Sequence, residues 1–169
     1  MAEIPDSRLF LKSGRFDDPV LRRETTDRLA THGVDESRLL VEGFTTREEL
    51  LAAYNRVDIG LDPFPYNGCT TTIEALWMGI PVVALRGRRS VARASEAILT
   101  VVGRPDLVAP DAGAYVSIVK SLAADRKALD EMHGTLRAMT ESSPICDCRQ
   151  FARDTVQLYR QMWRTWCAR

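Results

Sequence analysis

The run Asn67-Gly68-Cys69-Thr70-Thr71-Thr72-Ile73-Glu74-Ala75-Leu76-Trp77-Met78-Gly79-Ile80-Pro81-Val82-Val83 decides how this chain is read. It holds a glycine turn, a cluster of hydroxyls, one carboxylate a turn later, an apolar helix, a Gly-Pro break and a buried strand. A helix that opens on threonines presents free backbone N–H groups and hydroxyls at its positive end. Such an end can hold an anion, and in an α/β protein the usual anion is a phosphate. Two readings therefore stand side by side: Thr70 to Thr72 cap a buried helix, or they meet a phosphate.

Working outward, short apolar runs alternate with helical ones. Upstream lie Arg8-Leu9-Phe10-Leu11-Lys12, Leu39-Leu40-Val41 and Asp58-Ile59-Gly60-Leu61-Asp62, each read as a strand. Between the first two, the pattern predicts a helix from Asp17 to Thr31, capped by Asp17 or Asp18, with Leu21, Leu29 and Ala30 on its inner face and Gly33 as its C-terminal cap. Thr46 to Glu49 form a capping box that starts a second helix running to about Val57, with Leu50, Leu51 and Tyr54 inward. Pro63 to Gly68 make a stiff connector.

Downstream, Pro81 to Leu85 is a buried strand, Val91 to Val102 a helix closed by Gly103, and Leu107 to Ala109 an edge strand. Helices are then expected over Ala114 to Ala123, Arg126 to Thr140 and Cys148 to Trp166, the last burying Phe151, Val156, Leu158 or Tyr159, Met162 and Trp163. The fold expected is α/β, a Rossmann-like parallel sheet of four or five strands with helices on both faces. Residues 1–169 form one domain, with C-terminal helices over 111–167. Ligands in such sheets sit beyond the carboxyl ends of the strands, which gathers Lys12, Gly43 to Arg47, Asp62 to Thr72 and Arg86 to Arg89 on one rim.

Composition narrows the function. Lys and Arg number 23 and Asp and Glu 23, so net charge is zero and argues for neither nucleic acid nor an anionic membrane as partner. No apolar run reaches the length of a membrane span. The N-terminus lacks the basic and apolar regions of a signal peptide, and the four cysteines form no disulfide framework, so a cytoplasmic setting is expected. Cys146-x-Cys148 has no second cysteine pair at zinc spacing, so no metal is expected. His32 and His133 are expected on helix ends or surfaces, solvated rather than catalytic. Neither a P-loop nor a dinucleotide fingerprint occurs. The rim pairs a threonine-rich helix start and arginines, suited to phosphate, with Glu74, suited to a ribose.

The segments Asp58 to Pro63 and Asn67 to Val83 resemble the C-terminal catalytic region of O-GlcNAc transferase and its bacterial relatives, the SPINDLY/O-GlcNAc transferase family. The likeness continues through Arg93-Ala94-Ser95, Leu99, Tyr115, Leu122-Ala123, Asp125, Leu136-Arg137, Ser142-Ser143-Pro144 and Tyr159 to Trp163. It implies the C-terminal, nucleotide-sugar-binding lobe of an inverting, metal-independent GT-B glycosyltransferase. The expected donor is a UDP-sugar, UDP-GlcNAc above all, and the acceptor a Ser or Thr of a protein or peptide. No separate cofactor is implied; bacterial members often carry tetratricopeptide repeats.

By the same resemblance Thr70 and Thr71 match pyrophosphate-binding threonines and Glu74 a ribose-holding aspartate. Arg47 matches a lysine against the nucleoside and Thr45 a residue whose backbone meets the base. Asn67 and Gly68 open the motif; Leu50 and Cys69 stand where human-type enzymes have histidines. No general base is evident. The lobe's first strand is expected to be missing, which leaves an open sheet edge suited to a homodimer. Without the N-terminal GT-B lobe the chain is expected to be catalytically silent. The alternatives are a non-catalytic nucleotide-binding or protein-interaction module and a sugar-nucleotide epimerase.

Overall fold

In a computed structural model, described over residues 1–168, the chain is α/β, and every strand pairing is parallel. Strand β1 (Leu9–Lys12) pairs with β2 (Leu39–Glu42), Leu9 opposite Leu39 and Lys12 opposite Glu42. Between them runs helix α1 (Pro19–Thr31). Asp18 caps it, accepting from the N–H of Val20, and Pro19 fills the first helical position, where no donor is needed. Asp17 does another job: its carboxylate accepts the Phe44 N–H at 3.0 Å and so braces the loop that leaves β2. Of the three α1 residues expected inward, Leu21 and Leu29 are half-buried and Ala30 is exposed, while Thr26 is the one buried residue of the helix.

Helix α2 (Arg47–Ala53) starts at the expected capping box and tightens into a 3-10 turn at Tyr54–Arg56. A second sheet follows, in the order β3 (Gly60–Leu61), β4 (Val82–Leu85), β5 (Val108–Ala109). Helix α3 (Thr70–Trp77) connects β3 to β4, and α4 (Ala94–Val101) connects β4 to β5. Gly79 ends the α3 turn at φ +84°, where a Cβ would lie 2.8 Å from the His133 carbonyl oxygen. Only glycine gives both the left-handed turn and the close helix approach there. The chain closes with α5 (Ala112–Ala124), α6 (Arg126–Ser142) and α7 (Cys148–Cys167).

Two findings depart from the sequence reading. First, there are two sheets, of two and three strands, rather than one of four or five. The doubly wound order is 3-2-1-4-5-6. The pairings β2-β1 and β3-β4-β5 fit positions 3-2 and 4-5-6, and no strand among the described residues takes position 1. Second, α7 buries nothing: Phe151, Val156, Leu158, Tyr159, Met162 and Trp163 are all exposed. Helical spacing makes one side of α7 apolar but supplies no surface for it to rest on.

The core lies around β4. Leu76, Val83, Leu99, Leu107 and Leu136 are fully buried there, each contributing about 1.5–3 kcal/mol of apolar burial. His133 reaches across from α6, its Nε2 2.8 Å from the Asp58 carbonyl oxygen, and is half-buried in a structural contact; His32 is exposed.

Candidate functional site

The carboxyl ends of β2, β3 and β4 lead into three loops that build the rim. At β2 the capping box fixes the first loop. Thr46 Oγ1 accepts from the Glu49 N–H at 3.3 Å, and the Thr46 N–H donates to Glu49 Oε2 at 2.9 Å. The Thr46 N–H, and then the Thr46 hydroxyl, donate to the Glu49 carboxylate and hold it below the usual range. These bonds also set Thr45 and Arg47 in place on either side. Thr45 Oγ1 is buried with no hydrogen-bond partner. Arg47 is largely exposed and its guanidinium lies 3.0 Å from the carboxylate of Glu74, which is only 12% exposed. Leu50 is half-buried one turn further along α2.

The second loop runs from β3 to α3. Asp62 and Asn67 are both buried, at 3% exposure. Asp62 Oδ1 accepts the Gly68 N–H at 2.7 Å, and Ser95 Oγ donates to the Gly68 carbonyl at 3.0 Å. Thr72 Oγ1 sits 3.0 Å from Ser95 Oγ. Asn67 is pinned by Nδ2 donating to the Pro63 carbonyl and by its own N–H donating to Val91. The turn before α3 is thus tied to β3, α4 and the loop between β4 and α4.

That arrangement counts against the capping reading of the threonine run. Cys69 is the N-cap residue and no side chain caps α3. Thr72 is buried on Ser95, whereas Thr70 and Thr71 are exposed. The helix therefore presents its first-turn N–H groups and two hydroxyls outward without using a threonine as cap. Glu74 follows on the side facing α2, and Tyr54 closes over the turn with its hydroxyl donating to the Thr71 carbonyl at 3.4 Å. Burial, then the nearby Glu74 charge, push the Tyr54 hydroxyl up from its ordinary range.

The third loop, after β4, carries the arginines. Arg86 and Arg93 converge on Glu96, at 2.9 and 3.1 Å, and Arg88 and Arg89 are exposed on the same turn. The structure therefore brings Arg47 against Glu74 and sets both beside the Asn67–Thr71 turn. It sends Arg86 and Arg93 to an internal carboxylate instead of leaving them free for an anion.

Sequence reasoning missed the Asp62–Gly68–Ser95–Thr72 network. The signal available was an aspartate ending a strand six residues before a glycine turn; Ser95 carried none that local pattern could supply. Burial is the main influence on Asp62 and raises its carboxyl above the ordinary range, opposed by the Gly68 N–H bond and by the nearby Ser95 and Asn67 side chains.

Residues 1–155 match the family model described as Glycosyl transferase family 41. The chain is 38% identical over 168 residues to a rice (Oryza sativa subsp. japonica) protein named probable UDP-N-acetylglucosamine–peptide N-acetylglucosaminyltransferase SPINDLY, covering 99% of this chain and 18% of that protein. A Caenorhabditis elegans UDP-N-acetylglucosamine–peptide N-acetylglucosaminyltransferase is 32% identical over 132 residues, 78% of this chain and 12% of the worm protein. A solved structure of a Thermobaculum terrenum O-GlcNAc transferase mutant superposes with a TM-score of 0.93 at 36% identity, over 98% of this chain and 32% of that one. The chain therefore spans a minor part of the length of its relatives. Sequence and fold agree over nearly all of it, and the chain belongs to glycosyl transferase family 41.

Proposed function

We propose that these residues are the nucleotide-sugar donor-binding part of an inverting glycosyltransferase that moves a sugar from a UDP-sugar to Ser or Thr of a protein. The observation that carries the reading is the uncapped start of α3, with Thr70 and Thr71 exposed and Glu74 at its flank. The names of the relatives supply the donor, UDP-N-acetylglucosamine, and the peptide acceptor.

In this reading the diphosphate lies on the first-turn N–H groups of α3 and the hydroxyls of Thr70 and Thr71. As the acceptor hydroxyl attacks the anomeric carbon and gives up its proton to solvent or to the leaving group, the sugar–phosphate bond breaks and charge grows on the leaving diphosphate. Fixed N–H dipoles stabilise that charge without reorganising. Glu74 accepts from the ribose hydroxyls, exchanging part of its contact with Arg47, and the released guanidinium stays beside the nucleotide. Thr45 and Leu50 border the base, and Asn67, Gly68 and Cys69 shape the turn. The donor brings the reactive group, so no further cofactor enters the scheme.

The acceptor and an N-terminal lobe complete the active site, and the 169 residues alone are expected to bind donor without transferring sugar. The four free thiols fit a reducing, cytoplasmic setting.

Titration calorimetry with UDP, GDP and UDP-GlcNAc tests the assignment. Removing Glu74's charge-assisted bonds by Glu74→Ala should weaken UDP by about 10- to 100-fold, and Thr70→Ala by up to about 10-fold. If no nucleotide binds, or both variants bind as the parent does, the site is wrongly assigned. Sugar transfer to a peptide by the isolated chain would overturn the expectation of silence.

A further inference from the structure

The donor-site reading leaves one buried acid without a task. Asp62 lies at the end of β3 and is 3% exposed. Its Oδ1 accepts the Gly68 N–H at 2.7 Å, but its Oδ2 is buried with no hydrogen-bond partner. The neighbouring Asn67, equally buried, has the same defect at its Oδ1. On the other side of the turn, Ser95 Oγ donates to the Gly68 carbonyl at 3.0 Å. The Gly68 peptide is therefore held at both its N–H and its C=O, and the outward-facing groups of Cys69, Thr70 and Thr71 follow directly from it.

We propose that Asp62 is the positioning residue of the phosphate-binding turn, and that it holds the turn as a neutral acid when a nucleotide diphosphate is bound. The inference rests on the donor-site reading and goes one step beyond it, because it makes donor binding take up a proton.

Three physical points support it. A buried lone pair with no donor is costly, and a proton on Oδ2 turns that oxygen from an orphaned acceptor into a donor; the equally buried Asn67 Oδ1 also lacks a partner. Oδ1 keeps its bond to the Gly68 N–H in either protonation state, so the turn's geometry survives protonation. A diphosphate on α3 adds negative charge next to the carboxyl, and like charge favours the neutral form.

The groups facing Asp62 oppose this little. The Gly68 N–H, Ser95 from α4 and Asn67 from the turn carry no charge and lower the carboxyl less than burial raises it. From α5, Tyr115 donates to the Asp62 carbonyl at 3.5 Å, and its hydroxyl is pushed up to about 12 by burial and by the Asp62 charge. Burial of Asp62 already raises its carboxyl in the unliganded chain.

The test compares the wild-type chain with Asp62→Asn, whose amide keeps an acceptor for Gly68 and puts a donor where the neutral acid has its O–H. UDP affinity is measured by calorimetry from about pH 5 to about pH 8, and the ratio of the two affinities cancels the titration of UDP itself. The expected result is near-equal affinity at the acid end and about 10-fold tighter binding by Asp62→Asn at the basic end, with wild-type binding heats that report proton uptake. Asp62→Ala, which gives Gly68 no acceptor, should bind more weakly than Asp62→Asn at every pH.

A ratio that stays flat with pH, or Asp62→Asn binding more weakly at the basic end, overturns the inference while leaving the donor site intact. Absence of UDP binding to the wild type at every pH sinks the donor-site reading, and this inference with it. Should Asp62→Asn not fold, carbon NMR of the wild-type Asp62 carboxyl decides. Its titration must move upward on UDP saturation, and a fixed or lowered titration overturns the proposal.

Discussion

Gly68 has room for a hydrogen and nothing larger. A Cβ there would lie 2.6 Å from Thr72 Oγ1, 2.8 Å from Thr71 Oγ1 and 3.2 Å from Asp62 Oδ1. Thr72 cannot swing away cheaply, because it is buried and bonded to Ser95. Gly68→Ala should therefore destabilise the fold by about 1–3 kcal/mol, measured by urea unfolding, and weaken UDP binding as well. A variant as stable as the parent would show that the turn is loose. Asp62 gives a pH prediction of definite sign. Its carboxyl is raised in the folded state, so its contribution is full below the unfolded range and is lost as pH rises through the folded value. The thermal midpoint of Asp62→Asn should thus gain on that of the wild type as pH rises, and midpoints that move in parallel would contradict the shift. The shared placement of Thr70, Thr71 and Glu74 was legible in the sequence because they lie on one short helix, whose period fixes their relation to each other. The tie between Asp62, Gly68 and Ser95 was not, because Ser95 comes from the next helix and only the packing of α4 brings it there.

Helix starts were legible to within two residues wherever a local cap writes them: α1 begins at Pro19 instead of Asp17 and α5 at Ala112 instead of Ala114. Asp18, Thr46, Asp111, Asp125 and Asp147 each accept from a backbone N–H at the start of their helix, and each contact lies within three residues of chain. What a helix packs against is a different kind of information. The apolar side of α7 reads like that of a buried helix, yet Trp163 and Trp166 are each 67% exposed and Tyr159 is 65% exposed. Four arginines, Arg149, Arg153, Arg160 and Arg164, share the helix with one acid, Asp154, which leaves it basic as well as amphipathic. Since no residue of α7 is buried, ending the chain after Asp147 should cost the rest of the fold little. Its thermal midpoint should stay within about 3 °C of the parent's, because a loss of 1 kcal/mol already moves a domain of this size by about that much. Binding of a hydrophobic dye should fall at the same time. A drop of many degrees would show that α7 carries packing the burial pattern does not reveal.

The whole molecule is unevenly built. The alternation of strands and helices made a parallel α/β fold legible, because each strand is a compact apolar run between turn residues. Which strands pair is set by distant partners, and that is where one expected sheet became two. The consequences for stability follow from burial. Around β4, Val82 and Ala84 are buried against Leu76, Leu99 and Leu136, and Val83 is fully buried. In β1 and β2 every residue is only half-buried, and α1 buries Thr26 alone. Each of β1 and β3 hydrogen-bonds to a single neighbour, so each has an open edge of the kind that recruits another strand. The ties from this first part to the rest include largely exposed contacts: Arg47 to Glu74, Lys120 to Glu3 and Tyr54 to the Thr71 carbonyl. Regions with few buried apolar contacts open below the global unfolding free energy. Hydrogen exchange should therefore separate the chain into two levels. Amides of Leu9–Lys12 and Leu39–Glu42 should exchange by a local opening that is insensitive to low denaturant, while those of Val82–Leu85 exchange only with global unfolding. Equal protection in both sheets would mean that the two fold as one cooperative unit and would refute this division. Raising the protein concentration adds a second arm: if the open edges pair between copies, protection of β1 and β3 should rise together with the mass seen by light scattering. Protection that does not change with concentration, alongside a constant monomer mass, would leave the edges exposed to solvent and count against a homodimer formed through them.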